Sequence, residues 1–139
     1  MGREAILTAL DALVANALPQ AARRGFEGEP GKPDVITSGG AVVLLGVDAG
    51  DPEVDLNPPT YHFETAFTLA VLADTIEQAG TMMTAIGAAI VADRTLGDTC
   101  DWAEGASSGL DEETMTGVDG YVEGRCLVTT AYSTTNPLG

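Results

Sequence analysis

Between Tyr61 and Asp74 the chain reads YHFETAFTLAVLAD, and its side chains sort at a period of two. Tyr61, Phe63, Thr65, Phe67, Leu69 and Val71 fall on one side; His62, Glu64, Ala66, Thr68, Ala70 and Leu72 fall on the other. That period belongs to a strand, whose successive side chains point to opposite faces. The first side holds two of the 3 phenylalanines in the chain, so whatever covers it covers the main core.

A helical period marks two other stretches. Ile6, Leu10, Leu13, Val14 and Ala17 recur at the spacing of one helix face, which predicts a helix over 3–17 ended by Pro19. Ile76, Ala79, Met83, Ile86 and Ile90 predict a second. Thr75 and Gln78 before it have the T-x-x-Q spacing of a capping box, in which hydroxyl and amide tie off unpaired backbone donors. The methionine pair Met82 and Met83 reads as core filling.

The remaining pattern is strand and connection. AVVLLGV, residues 41–47, is almost continuously apolar and predicts a strand covered on both faces. Residues 48–59, DAGDPEVDLNPP, predict a long loop forming a protruding arm between two antiparallel strands. Residues 121–132, YVEGRCLVTTAY, predict the last strand, with Val122, Cys126, Val128, Thr130 and Tyr132 on one face; Pro137 keeps the STTNPLG tail out of the ladder. The link from Gln20 to Gly40, broken by Pro30, Pro33 and several glycines, predicts an extended connection with a short strand around Asp34 to Thr37. The acidic, glycine-rich stretch 93–120 has room for one more strand around Asp101 to Glu104. The expectation is an α+β (mixed α/β) fold: a small antiparallel sheet of about four strands with two helices packed on one face. At 139 residues the chain is long enough for one core, and 1–139 is read as a single domain.

Composition removes several classes of function. Six basic residues against 21 acidic give a formal charge of -15 and a pI near 4.1. A bare surface of that sign disfavours nucleic acid and anionic membranes. The imbalance is uneven: Arg3, Arg23, Arg24 and Lys32 lie in the first forty positions, while from Asp48 onward only Arg94 and Arg125 are basic. No apolar run approaches the roughly 18 residues of a membrane span, and the amino terminus reads as an amphipathic helix, implying synthesis in the cytoplasm. Cys100 and Cys126 lack CxxC spacing, which argues against a zinc or redox site, and Cys126 reads as a small strand hydrophobe.

Candidate chemistry is sparse. His62 is the single histidine, so no histidine pair can hold a metal. No phosphate-cradling glycine motif occurs, and Ser38, Ser107, Ser108 and Ser133 lack a GxSxG setting. Asp48, Asp51, Glu53 and Asp55 have a spacing similar to a calcium loop, but the central glycine and closing glutamate are missing and Pro52 intrudes. A hydrolase would need carboxylates such as Asp98, Asp101, Glu104 or the run Asp111 to Glu113 to converge in a concave site, in a segment without an aromatic platform. No catalytic, cofactor or metal residue is assigned, and the chain is read as a non-enzyme.

The first helix, AVVLLGV, YHFETAFTLAVLAD, the helix TIEQAGTMMTAIGAAIVAD and the closing YVEGRCLVTTAYSTTNPLG together resemble, in element order, the tail terminator proteins of long-tailed phages and phage-derived gene transfer particles. The YSTTNPLG ending is similar to the Y-[ST]-T-[TD]-x-P-x-G endings of small tail proteins of such particles. The resemblance implies a mixed α/β subunit that closes into a six-membered ring, caps the tail tube and offers the surface on which the head docks. It implies tail tube protein below, head-connector proteins above, and residence in the particle tail after assembly in the cytoplasm. A head-completion or connector protein of the same particle shares these features and stays open; an acidic hydrolase is the alternative of another class. Candidate contacts come from this chain's own inventory: Arg23, Arg24 and Lys32 for charge, and Trp102 and Tyr132 as aromatic residues. Trp102 reads either as a local apolar anchor or as part of a subunit contact.

Overall fold

The structure is a computed structural model that describes residues 2–26, 39–109 and 122–138. Its elements run α1 (Arg3–Ala17), β1 (Ala22–Arg24), β2 (Ala41–Ala49), β3 (Glu53–Leu56), β4 (Pro59–Ala73), α2 (Ile76–Ala92), β5 (Trp102–Gly109) and β6 (Val122–Thr134). The α+β expectation stands at the level of class. The described residues form an open 6-stranded sheet rather than one of about four strands. The order is β1-β2-β4-β6-β5, with β3 also pairing β4; β1 lies parallel to β2 and the other pairs are antiparallel.

β4 occupies the centre because its alternation gives it two usable faces. It pairs β6 from Tyr61↔Thr134 to Ala73↔Val122, and on its other side pairs β2 and then β3. Phe63, Phe67, Leu69, Val71 and Ala73 enter one cluster with Ile6, Leu10 and Val14 of α1 and Ala79, Met82, Ile86 and Ile90 of α2. Both helices therefore cover the same face. Ala70 and Leu72 bury on the opposite face with Ala41 and Val43.

Several local expectations shift. In α2 the buried methionine is Met82 rather than Met83, and Ile76, in the first turn, is 51% exposed. The Thr75 hydroxyl accepts from the Gln78 N–H at 3.1 Å, while the Gln78 side chain closes the box one residue early, on the Asp74 N–H. β2 is buried only from Ala41 to Val43, where β1 flanks it; after the irregularity between Leu44 and Gly46 it becomes exposed, so the prediction of cover on both faces holds for residues 41–43 and fails beyond them. Residues 48–59 are not a long loop: β2 runs to Ala49, β3 follows after Gly50–Pro52, and Leu56 pairs Pro59 across a two-residue turn. The suggested strand near Asp101 exists as β5 and extends to Gly109. The link after α1 supplies β1, whereas the strand expected at Asp34 to Thr37 lies outside the described residues.

Gly40 shows why the turn into β2 needs glycine. Its φ is +77°, and a Cβ there would sit 2.7 Å from the Leu72 carbonyl oxygen and 2.8 Å from Met82 Sδ. The close approach seats β2 against β4 beneath α2.

The burial pattern separates two changes of similar chemistry. Phe67→Ala removes a fully buried ring at the cluster's centre and should cost about 3–5 kcal/mol. Ile76→Ala, at the exposed start of α2, should fall within about 0.5 kcal/mol of the parent. Urea unfolding of the two variants checks this; equal destabilisation would contradict the assignment of faces.

Candidate functional site

The face without helices carries a concave groove of about 580 Å3, whose lining includes Asp48, Asp51, Glu53, Glu64 and Asp101 around His62. Strand register accounts for this gathering. Glu53 pairs His62, His62 pairs Ser133, and Asp48 pairs Ala66, so alternate positions of four strands converge on one side. Asp101 enters from the start of β5, where its N–H donates to the Ala131 carbonyl at 2.7 Å.

His62 is the node of the groove. Its Nε2 lies 2.8 Å from Asp55 Oδ2 and its Nδ1 lies 2.6 Å from Ser133 Oγ. A neutral ring protonated on Nε2 satisfies both, donating to the carboxylate and accepting from the hydroxyl. Hydroxyl, imidazole and carboxylate stand here in the order of an activated nucleophile. An acyl-transfer site also needs N–H groups aimed at a developing oxyanion, and those of Gly50 and Asp101 at the groove's margins are bonded to Glu64 O and Ala131 O. The His62 and Asp55 side chains are 42% and 76% exposed. In this open setting the linkage ties β3, β4 and β6 together.

Among the described residues, the carboxylates considered for hydrolysis do not gather. Asp101 lines the groove; Asp98 sits in the turn after α2, where its N–H bonds the Thr95 hydroxyl; Glu104 stands exposed on β5 outside the lining. Asp111 to Glu113 lie outside the described residues. Asp48, Asp51, Glu53 and Asp55, the calcium-like run, are spread over β2, the following loop and β3. Among the described residues no group of three His, Cys, Asp or Glu side chains is placed to hold a metal ion.

The contact candidates are scattered. The Arg23 Nε donates to Asp11 Oδ1 at 2.7 Å, joining β1 to α1. Arg24 follows it on β1, half-buried. Lys32 lies outside the described residues. Trp102 is 38% exposed at the start of β5, opposite Ala131 on the helix-free face. Tyr132 is only 2% exposed, with its ring stacked on Phe63 at 5.5 Å and its hydroxyl without a partner among the described residues. The structure therefore places Tyr132 inside the chain's own core.

Sequence reasoning missed the Asp55–His62–Ser133 linkage, because cross-strand register is not written in any one segment. It also missed the apolar positions of the arm, Val54 and Leu56, which are 43% and 78% exposed inside a segment read as an acidic loop. Their alternation with Glu53 and Asp55 was the available signal. No protein-family model and no curated protein matches this chain.

Both cysteines are free, and both are poor nucleophiles. Burial pushes the Cys126 thiol up to about 11; burial, helped by Asp101 and Asp93, also raises Cys100. A thiol whose folded pKa lies above its unfolded value favours folding until the unfolded chain begins to lose its proton. The Cys126 contribution should therefore be complete below pH 9 and be lost as pH rises toward about 11. Unfolding free energies measured from pH 8 to 11 should fall less steeply in Cys126→Ala than in the parent, by up to about 1.4 kcal/mol per pH unit; parallel curves would contradict the buried, protonated thiol.

Proposed function

We propose that this chain is a non-enzymatic ring subunit of a phage-like tail, acting as the terminator that caps the tail tube and presents the joining surface for the head. The observation that carries the reading is an open sheet that leaves apolar side chains at its surface. Leu45 and Val47 on β2, Trp102 on β5 and Leu127 on β6 are each 38–40% exposed, and among the described residues β5 runs along the sheet margin with one pairing partner, β6. Open edges and surface apolar groups are liabilities in a lone subunit and are covered when copies associate. The ring is expected to be a hexamer, with tail tube protein on one side and head-connector proteins on the other. Nucleic acid is not an expected partner of so acidic a surface. None of the helices among the described residues is long and apolar enough to cross a membrane.

A formal charge of -15 per chain constrains how copies meet. Like charges at a partly dry seam oppose association, so carboxylates must avoid the seams or face the few cations. Arg23 already neutralises Asp11 in its own chain; with Arg24 it forms the basic strand of the N-terminal part.

Replacing Arg23 and Arg24 by glutamate should shift the sedimenting species from ring toward monomer, or weaken joining in particle assembly, while the circular dichroism of the fold persists. The lost Asp11 contact is an exposed ion pair worth at most about 1 kcal/mol. Unchanged ring population and unchanged joining would remove the arginines from the contact. A parent chain that is strictly monomeric and missing from purified tails would remove the ring reading itself, and microscopy locating it on the portal side of the junction would make it a connector.

A further inference from the structure

The two faces of the sheet carry unlike charge at the same end. On the helix-free face Asp48 pairs Ala66, Glu53 pairs His62 and Glu64 pairs Ala131, so register puts the three carboxylates on one side, and all three line the groove. Each residue is exposed, and no carboxylate among them has a hydrogen bond or ion pair with a described residue. The lining holds no lysine or arginine among the described residues, and its one histidine, His62, is engaged by Asp55 and Ser133.

On the helix side a cavity of about 620 Å3 has Arg3, Val47, Asn136 and Leu138 in its walls. Val47 and Leu138 are 40% and 82% exposed, and Val54, paired with Tyr61, carries the apolar part of this side onto the arm. Arg3 has a buried Nε without a partner, and it forms no ion pair with a described residue. The other described cations are engaged within the chain: Arg23 by Asp11, Arg125 by Glu123, Arg94 by the Ala103 carbonyl, and Arg24 as well. Glu4 stands exposed beside Arg3; against it, the amino end of α1, where Gly2 provides no side-chain cap, adds the partial positive charge of unpaired N–H groups.

One chain cannot bring the two surfaces together. Val47 and Asp48 are neighbours on β2 that leave opposite faces, Val47 level with Phe67 of the core and Asp48 with Ala66, so the sheet stands between Arg3 and the groove. Two copies can meet, and charge selects how. Groove on groove would set carboxylate against carboxylate, and one Arg3 surface on another would leave both grooves uncompensated. The helix side of one copy on the helix-free face of a second sets cation against carboxylate.

Resting on the ring-subunit reading, we propose that consecutive copies are joined in this way: Arg3 of one copy faces the Asp48, Glu53 and Glu64 carboxylates of the next, with Val47 and Leu138 beside it covering Trp102, which is level with Glu64 through Ala131. Such a contact is head-to-tail, since the two surfaces differ, and repeating it closes a ring when the rotation between copies allows.

Sedimentation of the full chain tests this with Arg3→Glu, Glu64→Arg, the variant carrying both, and Glu77→Arg, which makes the same change of charge at an exposed position in the first turn of α2. Arg3→Glu and Glu64→Arg should each weaken association by roughly 10-fold or more, because like charges then meet at the seam. The double variant, whose reversed charges face each other again between copies, should recover most of the parent's association. Glu77→Arg should associate at least as well as the parent. Parent-like rings from either single variant, a double variant no stronger than the weaker single, or a loss in Glu77→Arg equal to that in Glu64→Arg would each overturn the contact. If the parent forms rings while any of these occurs, only the contact fails; if the parent never forms rings, the ring-subunit reading fails with it.

Discussion

Pairing of β4 on both sides while one of its faces receives both helices is the constraint on which the rest depends. The strand alternates cleanly, so one register satisfies its backbone and its side chains together; a slip by one residue would turn Phe63 and Phe67 to the face carrying His62 and Glu64. β6 follows β4 over nearly all of its length, and Phe67 shares one buried cluster with the residues contributed by α1 and α2. The buried Thr130 hydroxyl donates to the Thr65 carbonyl at 3.2 Å, so even the polar positions of this face are partly drawn into the pairing.

The same constraint explains the surface. β4 is longer than the cover that β1, α1 and α2 provide, so the end that begins at Pro59 leaves the layered region as an arm with β3. Its two faces differ: Glu53 and Asp55 join the acidic groove, where His62 links β3 to β6 through Ser133, whereas Val54 and Leu56 face outward on the helix side. The arm is thus held at its root by hydrogen bonds and left apolar at its tip. β2 behaves similarly, buried beside β1 and exposed once β1 ends.

Much of this architecture was legible because it rests on local periodicity. The strand at Tyr61, both helices and the closing strand all follow from side-chain spacing, and the buried face of β6 is the one its alternation predicts. Legibility stopped where the outcome depended on a neighbour in space. Met82 and Met83 are equivalent in a helix pattern until the sheet selects one; Leu45 and Val47 look like core in an apolar run until β1 proves too short to flank them. Prolines and carboxylates hid β3, because a turn-rich composition outweighed the alternation within EVDL. Of the candidate contacts, Trp102 and the arginines could be named from chemistry alone, but whether an aromatic side chain faces outward depends on register, and register turned Tyr132 onto Phe63.

The central claim is that the chain completes its own core around β4, while the proposed association of copies covers the apolar groups left at its surface, those of the arm included. Amide hydrogen exchange, followed by mass spectrometry on separated monomer and assembled species, reads both halves at once. The account predicts that residues 65–72 and 126–132 exchange slowly in either form, while residues 53–60 exchange fast in the monomer and slowly in the assembly. Equal protection of the arm in both forms, or a core strand protected only after assembly, would contradict it.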